Sequence, residues 1–287
     1  MDSLSHDSQL NNEFKENNPQ HDYYSSDIMI NVNNLRKFYE NVRAVDGISF
    51  SIKKGEIYGL LGPNGAGKST TIKALLGMLS IQDGSMDVLG FNPLKDPDKV
   101  KEHIGYVSEE PLLFGSLSVQ EIFNFVASIR KLDPIRASYN ARQYLASLDA
   151  MQYYGSIIES LSRGNKQKVQ IITALLHEPE ILILDEPFSG LDAKSTHVMK
   201  ELLKVHVSRG GSILMSTHIM EQAQNLCTRI GIINQGKMVA EGTFEQLQSN
   251  AAKSGSSLED IFLHLTEQDQ NIQYIVENLK RLSINTD

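Results

Sequence analysis

The sequence has no tryptophan and a single cysteine, Cys227. A disulfide needs two thiols, so no bridge can form within the chain, and the composition points to a reducing compartment. Cys227 itself reads as a small buried hydrophobe. Long apolar runs are also missing. The longest uninterrupted aliphatic stretch spans residues 181–184, far short of the ~20 residues of a membrane-spanning helix, so the chain itself is expected to be soluble. The first 27 residues carry six acidic side chains and one lysine, which is neither the basic start nor the apolar core of a signal peptide. With 20 glycines and 8 prolines the chain is neither collagen-like nor mucin-like. Acidic residues outnumber basic ones by 35 to 27, a net charge of −8. Phosphate contacts need a basic surface, so no nucleic-acid partner is expected.

What is present is ordinary globular material, 40% hydrophobic and 22% charged over 287 residues, enough for one large or two smaller α/β units. Residues 1–27 are polar and aperiodic and are expected to form a disordered tail. Ile28, Ile30 and Val32 alternate with polar residues, as do Val45, Ile48, Phe50 and Ile52, which predicts two half-buried strands. A short apolar strand over 56–61 follows, then a glycine-rich loop and a helix from Ser69 to about Leu79. Residues 118–154 lose the strand pattern and contain no glycine. Ile122, Phe123, Val126 and Ile129 repeat at helical spacing, and Ser118 with Glu121 reads as a helix start. An all-helical insertion is therefore expected. The α/β alternation then resumes with a strand at 181–184, a helix at 193–207 and a strand at 213–215, which implies a largely parallel sheet. Ser257 with Asp260 reads as the cap of a helix through Leu265. The stripe Ile272, Ile275, Val276, Leu279 and Leu282 reads as a helix packing on the domain.

The strongest motif is Gly62-Pro63-Asn64-Gly65-Ala66-Gly67-Lys68-Ser69-Thr70. It fits the phosphate-binding loop pattern and lies between a predicted strand and a predicted helix. Its glycines let backbone N–H groups approach phosphate oxygens, and the following helix adds its positive dipole end. Lys68 would reach the β and γ phosphates and the Ser69 hydroxyl would hold Mg²⁺. Asp185 emerges at the end of the 181–184 strand, where ligands bind in open α/β sheets, and is the expected partner of the metal through water. Glu186 follows directly and is the candidate to orient or deprotonate an attacking water.

Several further segments resemble the ABC ATPase family. Leu161-Ser162-Arg163-Gly164-Asn165 resembles its Leu-Ser-Gly-Gly-Gln signature. Ser189-Gly190-Leu191-Asp192 resembles its D-loop, and His218 its switch histidine. Tyr39 is placed like the aromatic that stacks on adenine, although a core or exposed ring is the alternative. The resemblance covers about residues 28–245. It implies an α/β fold in which a P-loop NTPase core with a mostly parallel sheet carries an antiparallel β subdomain and an inserted α-helical subdomain, at about 112–165. Residues 246–287 would be a C-terminal helical extension.

The resemblance further implies ATP and Mg²⁺ as cofactors and head-to-tail pairing with a second ATP-binding subunit. Ser162 and Gly164 would then meet the γ-phosphate bound to the opposite subunit. His218 would contact the γ-phosphate and Asp192 would lie across the interface. Closure on ATP would drive a transmembrane permease subunit, so the chain would sit at the cytoplasmic face of the cell membrane and meet the transported substrate only through that partner. Two positions depart from the signature, Arg163 and Asn165. At the Q-loop, Glu109 stands where the family usually has glutamine, and it could still engage Mg²⁺ through water. These changes, with residues 257–262, resemble the drug and antibiotic exporter branch. The alternative, a soluble ABC-type ATPase acting on ribosomes or DNA, fits less well, because the chain has one P-loop, no heptad array and one cysteine.

Overall fold

Five consecutive buried residues make up the strand Ile57–Leu61 (β3), and the same is true of Ile181–Asp185 (β6) and nearly so of Arg229–Asn234 (β8). Such runs have no polar face because both faces of their sheet are covered. In the computed structural model, which describes residues 27–250 and 257–266, these strands lie in a six-stranded sheet of order β5-β6-β7-β3-β8-β9. β5 is Ile104–Val107, β7 is Ser212–Thr217 and β9 is Lys237–Gly242. All neighbours pair in parallel except β8 with β9, which form an antiparallel hairpin. The alternation along β6 feeds two cores. Ile181 and Ile183 join one with Leu60, Ile72, Leu75 and Leu214, whereas Leu182 and Leu184 join the other with Ile213, Met215, Met199 and Leu203.

The half-buried strands Ile28–Tyr39 (β1) and Val42–Lys53 (β2) pair with Asp83–Val88 (β4) in a separate antiparallel sheet of order β2-β1-β4. Ile30, Leu35, Ile48 and Ile52 bring its inner face into the first core. The helix after the glycine loop, Lys68–Leu75 (α1), is shorter than expected. Gly77 adopts φ 66°, Gly77 N–H donates to Ala74 O at 3.0 Å and Met78 N–H to Lys73 O at 2.9 Å. This pair of bonds closes the helix end around a left-handed glycine, which stops the helix before Leu79. Pro97–His103 (α2), β4 and the β8–β9 hairpin were not anticipated.

The inserted helices follow the expected pattern. Ser118 and Glu121 form a reciprocal cap on Val119–Ile129 (α3), and Asp133 caps Pro134–Ser147 (α4), where Pro134 takes the first helical position. Both pack on Arg163–Leu175 (α5) through Ile122, Phe123, Ala141, Leu145, Val169 and Ile172. Ala193–Ser208 (α6) follows β6, and Met220–Leu226 (α7) follows β7. Phe244–Asn250 (α8) and the Ser257-capped Leu258–Leu265 (α9) cover β8 through Leu247, Ile261 and Phe262. Cys227 is packed against the backbone at Gly59, and burial pushes its thiol up to about 12. Residues 1–26 of the tail expected over 1–27, and the stripe over 272–282, lie outside the described residues. Among the described residues no helix is long and apolar enough to cross a membrane.

Candidate functional site

The order β5-β6-β7-β3 places four chain exits side by side. The register pairs Val107 with Leu184, Asp185 with Ser216 and Leu61 with Thr217. Parallel strands end on one edge, so the segments carrying Glu109, Asp185–Glu186, His218 and the glycine loop converge there, where open α/β sheets bind ligands.

At Gly62 a side chain would run into Ile233 O, and at Gly67 into Ala44 O. Gly67 also sits at φ 108°, a conformation open to glycine and strained for other residues. The loop therefore lies closer to its neighbours than any Cβ allows. Lys68 opens α1 and is 6% exposed. Its Nζ donates to Gly62 O at 2.6 Å and Pro63 O at 3.1 Å. Burial lowers its pKa, and Glu186, Asp185 and Glu109 oppose that shift. The result is a cavity of about 310 Å³ lined by Ala44, by Asn64, Gly65, Ala66, Gly67, Lys68, Ser69 and Thr70, and by Glu109, Asp185 and Glu186.

The carboxylates are held by residues of β7. Ser216 Oγ donates to Asp185. Glu186 adopts φ 47°, a left-handed conformation rare for a residue with a side chain and typical of strained functional positions. Its Oε1 lies 2.7 Å from His218 Nδ1, and its Oε2 accepts from Thr217 Oγ1 at 3.3 Å. Glu186 is 7% exposed, whereas the His218 side chain is 53% exposed. The histidine thus reaches the buried carboxylate from the surface. Ser216, Thr217 and Ala44 were missed in the sequence. The first two had a usable signal, polar residues ending an apolar strand directly before His218.

The donor set suits a polyphosphate with a divalent cation. One lysine, two hydroxyls and a run of loop N–H groups face three carboxylates. A polyanion alone would be repelled by that carboxylate cluster; a cation between the two resolves the repulsion.

Seven expected site residues are not part of this lining: Gly62 and Pro63, whose carbonyls accept from Lys68 Nζ; His218, which meets Glu186; and Tyr39, Ser162, Gly164 and Asp192. Tyr39 ends β1, 47% exposed, with Lys37 Nζ 4.9 Å from its ring centre. Ser162 caps α5, its Oγ accepting from Asn165 N–H at 3.4 Å. Gly164 lies against Gly190, where a Cβ would meet the Gly190 carbonyl. Asp192 caps α6 and accepts from Ser195 N–H and Oγ, both at 2.8 Å, with Lys168 Nζ at 3.5 Å. The Ser195 backbone hydrogen bond is the main reason its carboxyl is held down at about 2.

A strand, a glycine loop and a helix around a buried lysine, facing paired acids at the end of β6 one strand removed, define the nucleotide site of a P-loop NTPase. Residues 45–189 match the family model described as ABC transporter. The chain is 37% identical over 248 residues to the linearmycin resistance ATP-binding protein LnrL of Bacillus subtilis, covering 86% of this chain and 78% of that one. It is 35% identical over 230 residues to the ABC transporter ATP-binding protein YhaQ of the same organism, covering 80% and 76%. A solved structure titled "Structure of ATP binding subunit of ABC transporter" superposes with a TM-score of 0.79 at 30% identity, covering 83% of this chain and 99% of that one. The chain belongs to the ABC transporter ATP-binding family and is an ABC-type ATPase.

Proposed function

We propose that two copies of this chain pair head to tail around two ATP molecules, and that closure on ATP and opening after hydrolysis drive a separate permease of the exporter type. One observation carries the reading. The cavity gathers the phosphate loop with Glu109, Asp185 and Glu186, yet Ser162 and Gly164, the residues resembling the signature, lie outside its lining. In the proposed pairing those residues serve the phosphate bound to the second copy.

In this reading Tyr39 stacks on adenine and the 62–70 loop wraps the phosphates. Lys68 neutralises the β and γ oxygens. Ser69, Asp185 and Glu109 would hold Mg²⁺, directly or through water, and the ion would supply charge neutralisation to the phosphate groups. Glu186 orients and deprotonates water, held in place by Thr217 and His218, and His218 also faces the γ-phosphate. From the opposite subunit Ser162 and the Gly164 N–H close the site, backed by the positive end of α5. Asp192 lies across the interface while capping α6.

The resistance role named for the LnrL relative supports export. Leu112, Phe114, Phe125 and Ile129 stay exposed, with Phe114 and Phe125 edge to face at 5.4 Å, an apolar patch suited to a permease contact. The chain would thus work at the cytoplasmic face of the membrane without entering it. The ATPase domain would span 28–245, with its helical insertion at about 112–165, and no nucleic acid would take part.

The test mixes two inactive variants. Lys68→Ala removes a phosphate-binding charge, and Ser162→Arg blocks the opposite γ-phosphate. Random pairing makes half the dimers mixed, each with one intact site, so about one quarter of wild-type sites return. ATPase activity should reappear on mixing and fall on dilution. Neither activity nor an ATP-dependent dimer at high protein concentration would sink head-to-tail pairing.

A further inference from the structure

Glu109 reaches the cavity from a segment fastened on both of its sides to the same helix. On one side is Ser108, buried with Gln170 of α5, which is 4% exposed. With the Gln170 amide oriented to satisfy both its groups, its oxygen accepts from Ser108 N–H at 3.0 Å and from Ser108 Oγ at 2.6 Å. Its nitrogen donates to Ser108 O at 3.2 Å. Ser108 Oγ also lies 2.6 Å from Glu110 O, so its one proton is shared between two acceptors. On the other side of Glu109, Glu110 meets Arg163, with Nη2 2.9 Å from Oε1. The Arg163 stem lies over Gly190. Arg163 and Gln170 are seven residues apart on α5, two helical turns, and so share one face. An exposed ion pair alone is weak. The buried amide pair supplies stiffness, and the ion pair fixes the direction of the segment and of the helix start.

We propose that Gln170 and Arg163 are positioning residues that make the 108–110 segment and α5 one mechanical unit. Engagement of Glu109 at the nucleotide is then passed directly to Ser162 and Gly164 at the N-terminus of that helix. Arg163 has a role in this arrangement that a small residue could not fill. Its guanidinium is turned to Glu110 and so ties the first turn of α5 to the segment that carries Glu109. The inference rests on the nucleotide reading of the cavity and does not need head-to-tail pairing.

Hydrogen exchange on the full chain tests this, at protein dilute enough to stay monomeric, with and without Mg²⁺ and ATP. Slowing over 62–70 reports binding itself, and slowing over 162–166 reports transmission. In the wild type both segments should slow. In Gln170→Leu the response at 162–166 should fall at least about twofold relative to that at 62–70, the lower end of the range for coupled neighbours. Glu110→Arg and Arg163→Glu should each weaken it, and the combined charge swap should bring it back. The charge series stands on exposed side chains, so it remains decisive if Gln170→Leu fails to fold. Wild-type slowing confined to 62–70, single variants with an undiminished response, or a swap that does not recover would each overturn the proposal. No slowing over 62–70 would overturn the nucleotide reading along with it, whereas absence of a dimer in the mixing test would leave it standing.

Discussion

At the phosphate cavity the backbone sets the shape, whereas at the start of α5 side-chain pairs set it. Gly62 and Gly67 press against carbonyls of β8 and β2, and the strand before them is buried along its whole length. Ser162 and Gly164 sit instead on a helix end tied by Arg163 to Glu110, by Lys168 to Asp192 and by Gln170 to Ser108, with one close backbone approach at Gly190. Backbone packing is stiff and tolerates almost no substitution. The exposed Arg163–Glu110 pair can shift and re-form with small changes in free energy, while the buried Gln170–Ser108 contact keeps α5 fastened to the 108–110 segment. A preformed phosphate cradle and a separate second surface are what the proposed two-subunit site would require, because the second surface would have to arrive only after ATP is bound.

The comparison can be broken hardest at Glu186. Glu186→Gln keeps the shape and loses the proton acceptor, so phosphate release should fall about 10²–10⁴-fold. ATP binding should persist, and an ATP-bound dimer should accumulate on sizing. Turnover near that of the wild type would take Glu186 out of the base role.

Paired glycine variants sharpen the contrast. Gly67→Ala forces a side chain into a left-handed site against Ala44 O, and such changes destabilise by more than ~1 kcal/mol. Nucleotide affinity, followed with a fluorescent ATP, should drop roughly tenfold or more, which corresponds to ~1.4 kcal/mol. Gly164→Ala meets the Gly190 carbonyl instead, away from the cavity. It should leave monomer affinity nearly unchanged and cost ATP-dependent dimerisation by a similar factor. If both variants lose nucleotide affinity equally, the two surfaces are not separate.

Glu109→Gln should change isolated ATPase activity only about two- to threefold, because either side chain can meet a metal-bound water. A loss as deep as that of Glu186→Gln would give Glu109 a share in the chemistry.

At Asp192 the expected effect is on stability rather than turnover. Replacing a capping carboxylate by alanine costs ~1 kcal/mol. Asp192 is held well below its ordinary carboxylate value, so its contribution is complete above the unfolded value near 3.8 and fades as pH falls through about 2. Melting of Asp192→Ala and wild type should therefore differ at pH 7 and converge in strong acid. A difference that persists there would assign the effect to the backbone rather than the charge.

The elements most readable in the sequence were those whose side chains serve local needs. Alternation in β1 and β2, the Ser118–Glu121 and Ser257–Asp260 caps and the uninterrupted aliphatics of β6 all appear where their patterns put them. The end of α1 was misjudged because Leu76 and Leu79 extend the apolar pattern past Gly77, whose left-handed turn stops the helix. The β8–β9 hairpin was hidden because β8 is buried on both faces and β9 puts the apolar Val239 on its exposed side between Met238 and Ala240, so neither sequence carries a clean period.

Sequence alone determined the chemistry on offer. The spacing of Gly62, Gly67, Lys68 and Ser69 and the pair Asp185–Glu186 are local patterns, fixed by residues a few positions apart. Tertiary structure alone decided who meets whom. That Glu109 lies beside Asp185, that His218 reaches Glu186, and that Gln170 grips Ser108 across 62 residues follow from the strand order β5-β6-β7-β3 and from the packing of α5. Such contacts depend on how distant segments share one sheet edge and one core, and no local period in the chain encodes that arrangement.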